Sequence, residues 1–527
     1  MAEEVVLYDT TLRDGTQQAG ISLSVGDKIR IARRLVEFGI PLVEGGWPGS
    51  NPKDMAFFER APAAVDPARL AVFGATRRAG ADVERDPQVA ALLKPGVPTV
   101  TVVGKASAFQ ATRVLGTDRE ENLRMIADTV AHLRARGRTV VFDAEHFFDG
   151  YAEDPGYAQE CLRVAARAGA RWLVLCDTNG GSLPSAVARA TARALEAVRE
   201  VAPAAGLGIH THNDSGLAVA NSLAAVEAGA RLVQGTVNGY GERCGNADLC
   251  QLLPTLQLKM GFLAVPEESL AGLVHLARFV AEVTNLPLSD SHPYVGVNAF
   301  THKGGLHASG MARDRRAYEH IPPERVGAQR RVLASELAGQ ASLSAALGHL
   351  GLGRASLARL LSQIKEREHL GYRYEDAEAS LELLALDQEG APSPFAVAHY
   401  RVVVDGPGRR AEATAEVRVG EGLAHAAAFG NGPVAALDAA LRKALAGFFP
   451  HLARIHLVDY RVRVIDGTEG ASARVRVWAE STDGVARWRT VGVSTDVVAA
   501  SLEALVDAFR YGLARVAEVE GAEPASG

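Results

Sequence analysis

Over its first 260 residues the chain alternates short, β-branched apolar runs with longer stretches in which apolar residues recur every three or four positions. VVLYD (5–9), PLVEGG (41–46), LAVFGA (70–75), TVTVVG (99–104), TVVFDA (139–144), RWLVLCD (171–177), GLGIHTH (206–212) and RLVQGTV (231–237) read as strands. The spacing predicts helices over 24–38, 119–136, 156–168, 184–200, 216–228 and 246–260. Near-continuous apolar runs suit strands buried on both faces, which occur where helices connect parallel strands. Eight such strand–helix units in this length predict a closed (β/α)8 (TIM) barrel, of class α/β. The alternative is an open doubly wound sheet, but the glycine-rich phosphate turn that usually follows its first strand is absent.

Past residue 260 the pattern turns mainly helical. SHPYVGVNAFTHKGGLHASGM (291–311) is a polar, glycine-rich connector, helices are expected over 334–350 and 354–368, and DQEGAPSP (387–394) reads as a linker. The last section contains a weak repeat. Residues 398–445 read as strand, strand, loop, helix, and 455–513 repeat that order. The expected organisation is a barrel over 1–280, helical linker subdomains over 281–390, and an α+β repeat domain over 391–527. The repeat domain carries no catalytic constellation, so a ligand-binding or dimerising role suits it better.

Composition narrows the class. The chain has 527 residues, 47% hydrophobic and 22% charged, with a formal net charge of −6. That balance argues against a nucleic-acid or anionic-membrane surface. No apolar run is long enough to span a bilayer. Four cysteines in this length make no disulfide framework, and MAEEVVLYDTT lacks the basic and apolar regions of a signal peptide, so the expected location is the cytoplasm.

In a (β/α)8 barrel, chemistry sits at the C-terminal ends of the strands. Those ends carry Asp9, Arg13 and Asp14 (first strand), Glu44 and Trp47 (second), and Asp143, Glu145 and His146 (fifth). Asp177 and Thr178 follow the sixth strand, His210 and His212 end the seventh, and Glu242, Arg243, Cys244 and Asn246 follow the eighth. The third and fourth strands contribute none on this reading. A spacing of two puts His210 and His212 on one face. Alone, the pair fits the wet face of an ordinary strand. Beside Asp14 and Asn246 from neighbouring strands it makes a mixed nitrogen/oxygen site for a divalent cation, and Mg, Mn, Co and Zn all remain open. Asn246 as the cap of the following helix, and Glu145 as a partner of Arg13, are the competing structural readings.

DTTLRDGTQ, HTHNDSGLAVANSLAAVEAGA, GYGERCGNADL and THKGGLHASG resemble the α-isopropylmalate, homocitrate and citramalate synthases, which share a metal-dependent barrel with 3-hydroxy-3-methylglutaryl-CoA lyase. The resemblance covers essentially the whole chain, and the C-terminal repeat resembles the LeuA-type allosteric and dimerisation domain. VEGGWPGSNPKD together with GYGERCGN is most similar to the bacterial citramalate branch. The resemblance implies condensation of pyruvate with the co-substrate acetyl-CoA, on a route to isoleucine. It implies that Asp14, His210, His212 and Asn246 bind the metal, that Arg13 lies over the keto oxygen, and that Thr178 holds the keto-acid carboxylate. Asp14, Arg13 and Glu145 would also touch substrate. Glu145 and His307 would assist proton abstraction, with Tyr318 nearby. A homodimer and an amino-acid effector, isoleucine rather than leucine, are implied as well. Thr16 stands where many synthases carry Glu, and Ala308 where many relatives carry Gln. A longer keto acid such as 2-oxoisovalerate or 2-oxoglutarate, a retro-aldol lyase, and a catalytically dead scaffold are the alternatives.

Overall fold

Each of the eight apolar runs forms a strand, and together they close a barrel. The computed structural model describes residues 3–302, 310–311, 313–332, 343–344, 346–404, 406, 410–465 and 472–521. These divide into two compact units, Met1–Phe300 with His320–Arg330, and Thr301–Glu319 with Arg331–Gly527.

In the first unit, β1 (Val6–Asp9), β2 (Leu42–Glu44), β3 (Leu70–Ala75), β4 (Thr99–Lys105), β5 (Thr139–Glu145), β6 (Trp172–Asp177), β7 (Gly206–Thr211) and β8 (Leu232–Gly235) pair in parallel, in order. β8 returns to β1 with Val6 opposite Leu232, so no sheet edge is left open. The predicted helices form at Val25–Phe38, Arg119–Ala135, Pro155–Arg167, Pro184–Val201, Ala218–Glu227 and Leu249–Leu258. The first shows why these stretches are helical. Ser24 and Asp27 form a reciprocal capping box, and Gly39 ends the helix at φ 101. Lys28, Ile31, Ala32, Leu35 and Phe38 form its buried stripe. The Lys28 ammonium is tied to Asp54 at 2.5 Å, which joins this helix to Pro52–Arg60.

Side chains alternate across the strands. One set packs outward against the helices in a continuous apolar layer. The other points inward, where Tyr8, Ala71, Val141, Val174 and Leu232 fill the barrel. One pleat higher, the same inward rows carry Asp143, His210 and Gln234, all buried. Apolar packing thus gives way to polar groups toward the strands' C-terminal ends.

In the second unit, helices Arg354–His369 and Glu378–Gln388 precede two copies of a three-stranded antiparallel sheet followed by a helix. The first copy is β9 (Ala396–Val404), β10 (Ala411–Val419), β11 (Gly422–Gly430) and helix Pro433–Leu445. The second is β12 (His456–Val464), β13 (Val475–Thr482), β14 (Arg487–Ser494) and helix Val497–Gly521. The repeat is real, but each copy has a third strand where the pattern reads as loop. GLAHAAAFG lacks the β-branched residues that mark strands, yet all nine of its residues pair with β10. Most of the helix expected over 334–350 lies outside the described residues; Gly348–Leu350 is a single 3-10 turn. Among the described residues no helix is long and apolar enough to cross a membrane.

Candidate active site

The period of a strand decides which side chains meet above the barrel floor. His210 on β7 faces inward, and His212, one residue past the strand, follows in the same row. Asp14 comes from the turn after β1. Asp9 shapes that turn by accepting from the Thr11 N–H at 2.9 Å and the Thr11 hydroxyl at 2.8 Å. Asn246 arrives differently. The loop after β8 folds back, and the Ala247 N–H donates to the Thr211 carbonyl at 3.0 Å while Asn213 N–H donates to Gly245 at 2.8 Å. This rung pairs Asn246 with His212. Gly245 makes the return possible: its φ is +90°, and a Cβ there would lie 2.0 Å from the Gly239 carbonyl oxygen.

Four side chains therefore converge. His210 Nε2 lies 3.2 Å from Asp14 Oδ2 and 3.2 Å from His212 Nε2. One ligand atom from each of Asp14, His210 and His212 lies within 4.8 Å of the others, and all three residues are buried. The Asn246 amide nitrogen donates to Asp14 Oδ2 at 2.8 Å. Among the described residues, His212 Nδ1 and Asn246 Oδ1 are buried without a hydrogen-bond partner. The two ends of an amide exchange by a half-turn, so Asn246 offers either a donor or an acceptor to the same point. Facing imidazole nitrogens, a carboxylate oxygen and an orphaned amide oxygen form a donor set with lone pairs to spare, which fits a divalent cation.

Electrostatics agree with a ligand set. Burial alone would raise the Asp14 carboxyl, but the Arg13 guanidinium and His210 hold it well below the usual carboxylate range. Burial, then the charge on His210, push the His212 ring down to about 3, so it is neutral at ordinary pH. For His210, burial lowers and the Asp14 carboxylate raises, with a net upward shift.

Above the cluster opens a cavity of about 640 Å³, lined by Arg13, Asp14, Asp143, Glu145, Thr178, His210 and His212 among others. Arg13 is held on three sides. Its Nε donates to Glu44 at 2.5 Å, its Nη1 lies 3.2 Å from Asp14, and its guanidinium sits 4.0 Å from the Phe73 ring centre. Glu44 in turn accepts from the buried Tyr8 hydroxyl at 2.7 Å. The Thr178 hydroxyl accepts the His146 backbone N–H at 2.8 Å, which leaves its own proton to donate elsewhere.

Residues 4–280 match the HMGL-like family model, 294–370 the homocitrate synthase post-HMGL domain-like model, and 375–513 the LeuA allosteric (dimerisation) domain model. The chain is 49% identical to an (R)-citramalate synthase of Aquifex aeolicus over 523 residues, 97% of this chain and 98% of that one. The chain belongs to the (R)-citramalate synthase family. Members from Synechocystis and Streptomyces coelicolor are each 48% identical, over 525 and 520 residues; the alignments cover 96% and 97% of this chain and 96% of each relative.

Within this family member the residues expected from sequence fall into three groups. Arg13, Asp14, Glu145, Thr178, His210 and His212 share one cavity, and Asn246 adjoins its floor through Asp14. Tyr318 belongs to the second unit and is exposed, with its ring 6.5 Å from that of His302. His307 lies outside the described residues. Two structural readings are corrected. Asp248, not Asn246, caps the helix after β8, accepting from the Cys250 N–H. Glu145 pairs with Lys105 rather than Arg13.

Polar groups that the sequence reading passed over complete the site. β4 ends in Lys105, one residue beyond the apolar run, and Thr76, Arg77 and Arg78 follow β3; all four line the cavity. A strand run read one to three residues further would have found them. Gln234 on β8 contacts His210 from behind, and its signal was a lone amide inside the apolar run RLVQGTV.

Proposed function

We propose that the protein joins the acetyl group of acetyl-CoA to C2 of pyruvate and hydrolyses the resulting thioester, releasing (R)-citramalate and CoA. One observation carries this reading: the ligand atoms of Asp14, His210 and His212 gather within 4.8 Å at the floor of a cavity that Arg13, Glu145 and Thr178 also line. Near full-length similarity to (R)-citramalate synthases supports it.

Asp14, His210, His212 and Asn246 would hold the divalent cation. When bound there, such an ion polarises the keto acid as a Lewis acid and orients it. The protein's own groups do the rest. Thr178 donates its free hydroxyl proton to the keto-acid carboxylate. Arg13, fixed by Glu44 and Phe73, offers N–H donors where negative charge develops on the C2 oxygen as the carbon–carbon bond forms. The Glu145 carboxylate, anchored by Lys105, takes a proton from the acetyl methyl, and the enolate carbon adds to C2. The alkoxide is then protonated, and water cleaves the thioester, which makes the sequence irreversible. By family resemblance, His307 and Tyr318 assist proton transfer.

The LeuA allosteric (dimerisation) domain match supports a dimer with an effector site at the C-terminal domain. By family resemblance, the segment after the barrel would reach the neighbouring subunit and the effector would be isoleucine rather than leucine. The reaction would serve isoleucine biosynthesis in the cytoplasm.

The test is CoA release from acetyl-CoA with pyruvate, 2-oxobutyrate, 2-oxoisovalerate and 2-oxoglutarate, with and without chelator. Turnover confined to pyruvate and abolished by chelator is expected. Equal or faster turnover with 2-oxoisovalerate would overturn the choice of acceptor.

A further inference from the structure

The His210 ring is engaged on both edges. Its Nε2 faces Asp14 and His212, and its Nδ1 lies 2.8 Å from Gln234 Oε1. Gln234 is fully buried on β8, and its Nε2 donates to Asp143 Oδ1 on β5 at 2.9 Å. A chain of two hydrogen bonds thus crosses the barrel interior behind the cation cluster.

Each link has a fixed polarity. Burial raises the Asp143 carboxyl to about 7, and above that pH its oxygens only accept, so the carboxylate draws the N–H end of the amide toward itself. The other end of Gln234 is then an oxygen, which also only accepts, so the proton on the neutral His210 ring must sit on Nδ1. The lone pair is left on Nε2, on the side of Asp14 and His212. With the amide reversed, Gln234 Oε1 and Asp143 Oδ1 would face each other, and an NH2 would meet His210 Nδ1. The ring proton would then move to Nε2 and occupy the lone pair that a cation needs.

We propose that Asp143 and Gln234 form a polarity relay that locks His210 in its Nδ1–H tautomer and so makes Nε2 a cation ligand. Both are positioning residues. The proposal rests on reading Asp14, His210 and His212 as the metal site. Partners of this kind, behind a ligating histidine, typically change metal affinity by about 10–100-fold.

The test uses the full-length protein, stripped with chelator and titrated with Mn2+ by calorimetry or electron paramagnetic resonance. Gln234→Met is expected to weaken Mn2+ binding by about 10–100-fold. Gln234→Glu combined with Asp143→Asn keeps an acceptor for the Nδ1 proton and a donor behind it, and should stay within a few-fold of the parent. Asp143→Leu should weaken binding when Gln234 is present and add nothing in the Gln234→Met background. Parent-like Mn2+ binding by Gln234→Met, or simple addition of the two losses, would overturn the relay while leaving the metal reading intact. If the parent shows no Mn2+ site that His210→Ala removes, the metal reading falls, and the relay with it. A readout that needs no relay variant covers the case in which Gln234→Met does not fold. In the metal-free parent labelled with 15N-histidine, at alkaline pH, the resonances lost in His210→Ala should report the Nδ1–H tautomer. An Nε2–H tautomer would overturn the proposal.

Discussion

Burial lowers both neighbouring rings, His210 and His212, yet their net shifts are opposite. Burial and the adjacent charge push His212 down to about 3, whereas the Asp14 carboxylate more than reverses the effect of burial at His210. His212 is therefore a ready ligand at neutral pH, whereas His210 becomes one only as pH rises through its raised value. Cation affinity should fall about tenfold per unit as pH drops through the raised His210 value, because proton and cation compete for Nε2. Stability of the metal-free protein runs the other way. The ion pair of His210 with Asp14 contributes fully below the unfolded value of 6.5 and is lost as pH rises through the folded one. Mn2+ titrations and thermal melts across that range check both signs, and a flat affinity would refute the competition. His210→Ala and His212→Ala should each fold yet lose bound Mn2+ and CoA release together. Glu44 acts one step back. Glu44→Gln removes the charge that anchors Arg13, and kcat for CoA release should fall by on the order of tenfold or more while KM for acetyl-CoA moves little.

The elements divide the work between rigid strands and shaped turns. β5, β7 and β8 present Asp143, His210 and Gln234 by alternation alone, and no special backbone is needed there. Asn246 depends instead on a loop that doubles back against β7, and that return passes through Gly245 in the left-handed region. Gly245→Ala would bring a methyl group onto the Gly239 carbonyl oxygen in a strained conformation. The expected cost is on the order of 1–3 kcal/mol of stability. A lower melting temperature and weaker Mn2+ binding should appear together, and a variant that melts and binds like the parent would separate the loop from the site.

At the scale of the molecule, barrel and repeat domain are built on different rules. The barrel closes its sheet on itself, whereas the second unit repeats a small antiparallel sheet and a helix twice. The two sheet-and-helix repeats fall largely within residues 375–513, which match the LeuA allosteric (dimerisation) domain model, and a regulatory role is tested there. Isoleucine should slow CoA release more than leucine does, and sedimentation should give about twice the 55.6 kDa of one chain. If neither amino acid slows the reaction, the regulatory reading fails even if the condensation stands.

Strand positions along the barrel were legible because strands buried on both faces must be apolar throughout; LAVFGA matches β3 residue for residue. His210 and His212 were legible as a pair because their spacing is the strand period, and Asp14 because it follows the first strand in a barrel whose eighth strand returns beside it. The third strand of each repeat was not, since alanine-rich β11 is extended only because β10 supplies its hydrogen bonds. Nor were the partners: Glu145 with Lys105, Arg13 with Glu44, and Asp143 with Gln234 behind His210. The sequence by itself determined which elements form and which ionisable groups reach the barrel's mouth, because pattern and period are local properties of the chain. Only the tertiary structure decided which of those groups face each other, because pairing depends on distances between strands far apart in sequence.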